Sequence, residues 1–161
     1  MRHVKAAGVL LALLSAATAS VSQTDPNRLR DQLAGDAKST AAANPQCKLF
    51  TQAEVSAYVG MPVGPGQNNS GGAGCRWSYK EYEAWATVSV VTPNYFPEPT
   101  EVKGFKRLPA VGRKAWVAPD SGWSAGALVG DAAIVVVVYG KKATEAAAVS
   151  MLQEAIKRRT R

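Results

Sequence analysis

The chain has 161 residues, 47% of them apolar, 7% aromatic and 19% charged, with 19 basic residues against 12 acidic ones. That length allows one ordinary domain with a modest core and excludes a multidomain machine. The apolar share and the four Trp exclude a wholly disordered chain.

Residues 1–19 combine a basic start at Arg2 and Lys5, an apolar run over 9–14 and the small residues Ala17, Thr18 and Ala19. This is the three-part pattern of a secretory signal, cleaved after Ala19. Its apolar stretch falls well short of the roughly 20 residues that span a bilayer. No Cys stands directly after the run, so a lipid anchor is not expected, and no later segment reads as a membrane span. Export would remove Arg2, His3 and Lys5, leaving 17 basic residues against 12 acidic ones, a net charge of +5. His3 is the single His of the chain. Without it, Ser–His–Asp and Cys–His catalysis, a His-ligated zinc site and an imidazole proton shuttle are excluded.

Residues 20–45 read as a flexible leader. Asp25 and Pro26 can open a short helix through Leu33, and the Ala-, Ser- and Thr-rich stretch 35–44 has no apolar periodicity. A single domain is expected over 46–159. Cys47 and Cys75 make an even count in an exported chain and predict one structural disulfide, which would add about 3–4 kcal/mol. No CxxC spacing points to a redox or metal site.

Thr51, Gln52, Ala53 and Glu54 form a capping box, with Phe50 and Val55 as its hydrophobic staple. Val55, Tyr58 and Val59 make an apolar stripe that Gly60 and Pro62 end, which predicts a helix over 52–59. Residues 60–74 are rich in Gly. A GxGxxG phosphate cradle starting at Gly64 fails at Asn69, and no GK[ST] follows. The segment reads as a disulfide-bounded loop.

From Cys75 the period becomes that of a strand: Cys75, Trp77 and Tyr79 alternate with Arg76, Ser78 and Lys80. A polar turn over 80–83 and a β-branched run over 85–92 complete a hairpin. Pro93, Pro97 and Pro99 then break the pattern and present Tyr95 and Phe96 on a braced loop. Lys103, Lys106 and Arg107 follow as a basic patch. Strands are expected at 114–118, 123–129 and 133–139; the last is apolar on both faces and so central. A helix over 144–158 closes the chain, with Val149, Leu152, Ala155 and Ile156 on its buried stripe and cations at its C-terminal end. The expected fold is α+β: an antiparallel sheet of about five strands with both helices on one face.

The opening from Cys47 through Leu49, Thr51, Glu54 and Val55, the later Gly74, Cys75 and Trp77, and a strand entry at Val111, Gly112 and Ala115 resemble a known pattern. It is that of the small bacterial exported proteins and lipoproteins, abundant in actinobacteria, that are grouped as domains of unknown function. The resemblance covers roughly 47–158. Its motifs are structural, so it implies a fold and an envelope location, periplasmic or secreted, and no activity.

No catalytic residue, metal site or cofactor is expected. Glu81, Glu83, Asp120 and Asp131 read as solvated turn carboxylates. Ser121 with Lys141 or Lys142 would make a nucleophile–base pair only if the fold joined them. The four Trp read as packing residues. The residues thus point to a non-catalytic binding module of the bacterial envelope, with Tyr95, Phe96, Lys103, Lys106 and Arg107 as candidate binding residues. Its partner would be an envelope protein or a small ligand and not nucleic acid. The basic later half favours, as an alternative, an anionic surface of lipid headgroups or glycans. A His-free hydrolase is the third reading.

Overall fold

A computed structural model describes residues 43–80 and 82–160. The signal pattern and the helix expected from Asp25 lie outside the described residues. Among these, two α-helices pack on a seven-stranded antiparallel sheet. Helix α1 spans Gln52–Val59 and helix α2 Glu145–Arg159. The strands are β1 (Gln67–Asn69), β2 (Gly74–Tyr79), β3 (Ala84–Val91), β4 (Lys106–Arg107), β5 (Arg113–Ala118), β6 (Trp123–Val129) and β7 (Ala132–Tyr139).

The α+β class holds, with a correction to the strand count. Five strands are expected and seven form, because β1 and β4 add short polar edges that carry no apolar alternation of their own. The order across the sheet is β1-β2-β3-β7-β6-β5-β4, so β7 is central as its two-sided apolar pattern requires. Asn44, two residues before the expected boundary at residue 46, packs with the sheet. Asn44 is 5% exposed. Its Nδ2 donates to Asn68 Oδ1 and to the Gly74 carbonyl, both at 2.8 Å, while its Oδ1 accepts from the Gln46 N–H. A buried amide satisfied in this way ties the leader's end to β1 and β2.

Both helices cover one face of the sheet. Alternation puts Cys75 and Trp77, Ala86 and Val88, Ile134, Val136 and Val138, Ala125 and Ala127 on that inner face, all buried. Met151, Leu152 and Ala155 of α2 and Val55 and Val59 of α1 close over them. Helix α1 starts where its capping box sits: the Glu54 N–H donates to Thr51 Oγ1, and the Thr51 N–H donates to Glu54 Oε2 at 2.7 Å. It ends at Gly60, whose φ of +75° is left-handed. Cys47 and Cys75 form the disulfide, with Cα atoms 5.0 Å apart, and it fastens the entry of α1 to β2.

Among the described residues, the segment 92–105 covers the outer face on its β5–β6 side, where Phe96 and Phe105 both lie 6.3 Å, centroid to centroid, from the ring of Trp116. Gly126 makes room for them, since a Cβ there would come within 2.9 Å of the Phe96 ring. Glu98 fixes this arm by pairing with Arg107 and with Lys114. Arg107 first and Lys114 second hold its carboxyl below the usual carboxylate range.

Candidate binding surface

The five residues expected to bind do not converge. Tyr95 is 79% exposed at the tip of the arm, whereas its neighbour Phe96 packs down on Trp116. Lys103 is exposed on the same arm. Lys106 opposes Val117, an inner-face residue, and reaches Glu145 at the start of α2. Arg107 opposes Trp116 on the outer face, pairs with Glu98 and lies 5.1 Å over the Phe105 ring. Two of the three cations are therefore spent on carboxylates and on opposite sides of the sheet. Cys47 and Cys75 are joined and carry no free thiol.

A different group comes together on the β2, β3 and β7 side of the outer face. The β2–β3 hairpin sets Ser78 opposite Trp85 and Arg76 opposite Thr87, which leaves Arg76 diagonal to Trp85. The β3–β7 pairing sets Trp85 opposite Tyr139. The outcome is a stack of planar groups. The Arg76 guanidinium lies 4.8 Å over the Trp85 ring and 6.0 Å over the Tyr82 ring. Trp85 in turn stacks on Tyr139, with centroids 5.9 Å apart and planes 21° from parallel. Arg over aromatic faces is the favourable arrangement of a delocalised cation on a ring quadrupole. Tyr82 and Tyr139, at the two ends of the stack, stay 69% and 41% exposed.

The Tyr139 end opens into a cavity of about 440 Å³, the size of a small-molecule site. Tyr139 from the outer side and Trp123 from the inner side line it, with Glu83, Lys141, Gly122 and Gly140. The two glycines are required. Their φ values are +112° and +145°, and a Cβ on either would lie 2.6 Å from a carbonyl oxygen, that of Val138 for Gly122 and that of Val59 for Gly140. The wall beside Tyr139 is thereby kept free of side chains.

Glu83 meets Lys80 at 3.4 Å on the rim, a solvated pair in which Glu83 raises the Lys80 pKa. Among the described residues, no ion pair links Glu83 to Lys141, so the two line one cavity without pairing with each other. Lys141 lines the cavity and Ser121 does not; the Ser121 hydroxyl turns to Asp120 at 3.4 Å. No group of three or more His, Cys, Asp or Glu is arranged to hold a metal among the described residues. No described helix is long and apolar enough to cross a membrane.

Glu83, Lys141 and the four stacked residues are absent from the expected binding set. The signal for Trp85 was present in the hairpin register, which turns it outward with Arg76 and away from the core. The signal for Tyr139 was its odd position in β7. Compared with protein-family models, curated proteins and solved structures, the chain matches none of them.

Proposed function

We propose that the chain is an exported, non-catalytic binding module of the bacterial envelope. It takes its ligand at the Tyr139 end of the outer sheet face. The observation that carries this reading is the stack of Tyr82, Arg76, Trp85 and Tyr139, whose Tyr139 end runs into the cavity. Large rigid rings left half in water beside a cavity offer contact area at little entropic cost, which is what a recognition surface needs. The disulfide is consistent with an oxidising compartment outside the cytosol, and the signal pattern supports export.

The alternative of an electrostatically held anionic surface is weakened by the ion pairs, which tie Lys106, Arg107, Lys114, Lys157 and Arg158 to carboxylates. Incubation with small molecules extracted from a bacterial envelope, followed by native mass spectrometry, tests the proposal. Wild type and a Tyr95→Ala/Phe96→Ser variant should both retain a ligand that a Tyr139→Leu variant loses. Loss in the Tyr95/Phe96 variant alone would move the site to the arm, and retention by none would overturn the reading.

A further inference from the structure

We propose that the cavity beside Tyr139 takes a saccharide ring. This inference rests on the binding-module reading above and names its ligand class. Three features of the cavity converge on that chemistry. Trp85 occupies one face of the Tyr139 ring, while Tyr139 stays 41% exposed and lines the cavity, so an aromatic face remains for the C–H face of a sugar. Gly122, beside that ring, puts no side chain in the way.

The polar groups are the second feature. A hydroxylated ring both donates and accepts hydrogen bonds, and the cavity offers one partner of each kind. Of the lining residues, Glu83 carries a carboxylate that can accept from hydroxyls, and Lys141 an ammonium that can donate to ring or substituent oxygens. A simple anion would meet Glu83 and a simple cation would meet Lys141, so neither has the whole lining in its favour.

The third feature is shape. The cavity is open, at the end of strands, with rings from both sides of the sheet at its wall. It therefore suits a ligand that presents one edge and stays attached to a longer glycan. An apolar molecule seeking full enclosure would leave much of its surface in water here.

Titration of the ¹⁵N-labelled protein with methyl β-glucoside, glucuronate and glycine betaine tests the assignment through the indole N–H signals. Either sugar should shift Trp85 and Trp123 while leaving the buried Trp77 and Trp116 in place. Tyr139→Phe should bind as the wild type does, and Tyr139→Leu, which keeps apolar bulk without a ring, should bind about tenfold more weakly. A Lys141→Met change that weakens glucuronate more than the glucoside would identify the ammonium as the reader of a ring carboxylate. Shifts from betaine without shifts from either sugar would overturn the assignment in favour of a cation cage. Silence of both sugars, in a protein that still retains its envelope ligand by mass spectrometry, would overturn the saccharide class and leave the binding module standing.

Discussion

Arg158 occupies the last turn of α2, where the helix dipole favours a cation, and it joins the two ends of the fold. Its Nη1 donates to the Leu49 carbonyl, its Nη1 and Nη2 reach both oxygens of Glu54 at 3.0 and 2.7 Å, and its Nε donates to Glu154 at 2.7 Å. The guanidinium also lies 4.7 Å over the Phe50 ring. Glu54 is thus shared between the start of α1, which it caps, and the end of α2. Arg158 first, then the Thr51 N–H, lower its pKa from the usual 4.5 to about 2. A carboxylate whose folded pKa is depressed gives stability that is fully present above the unfolded value and is lost as pH falls through the folded one. The window here is pH 4.5 to 2. Glu54 is 38% exposed, so solvent screens the pair and its share is about 1 kcal/mol. Wild type should therefore exceed Glu54→Gln in urea midpoint above pH 4.5, and the two should converge towards pH 2. A gap that stays constant across that range would refute the coupling.

Among the elements, those whose local chemistry decides them were legible in the sequence. The Thr51–Glu54 box and Gly60 fix both ends of α1 at the expected 52–59, and β6 occupies the expected 123–129. Strands β1 and β4 were not legible, because an edge strand of two or three polar residues is held by its partner's backbone and not by an apolar face. The glycine-rich segment was legible as a loop, but what it packs against was not. Gly66 passes so close to the disulfide that a Cβ would lie 2.6 Å from Cys75 Sγ and 2.8 Å from Trp77 Nε1. Gly66→Ala should cost about 1–3 kcal/mol through overpacking, read as a lower thermal midpoint with the disulfide still closed. The bridge closes a loop of 28 residues in sequence separation, for which the chain-entropy model gives about 3.5 kcal/mol. A Cys47→Ala/Cys75→Ala variant should melt roughly 15 °C lower. An unchanged midpoint would mean that Asn44 and the helix cap alone hold the entry of α1.

At the scale of the whole molecule, the sheet is two antiparallel wings joined along one line. Strands β1, β2 and β3 form one wing by consecutive pairing, and β4, β5, β6 and β7 form the other. Among the described strands, only the β3–β7 pairing, from Trp85 opposite Tyr139 to Val91 opposite Ala133, unites them. This is why the candidate site was hidden from the sequence: the stack of Arg76, Trp85 and Tyr139 exists only once two distant strands become neighbours. Periodicity shows that Trp85 and Tyr139 point outward, but it cannot show that they meet. The same dependence governs folding. The inner-face residues Ile134, Val136 and Val138 are all fully buried between the wings and the helices, and α2 packs on β5, β6 and β7. A chain ended at Gly130 would lose β7 and α2 together, leaving a three-stranded wing and a short meander with no shared core, each below the size that is stable alone. Its ¹⁵N–¹H spectrum should show the narrow amide dispersion of an unfolded chain even with the disulfide formed. Addition of a peptide covering residues 131–161 should restore native dispersion by supplying the missing central strand. Native-like shifts for β2 and β3 in the truncated chain without peptide would show that the disulfide-bounded wing folds independently and that β7 is an addition to it.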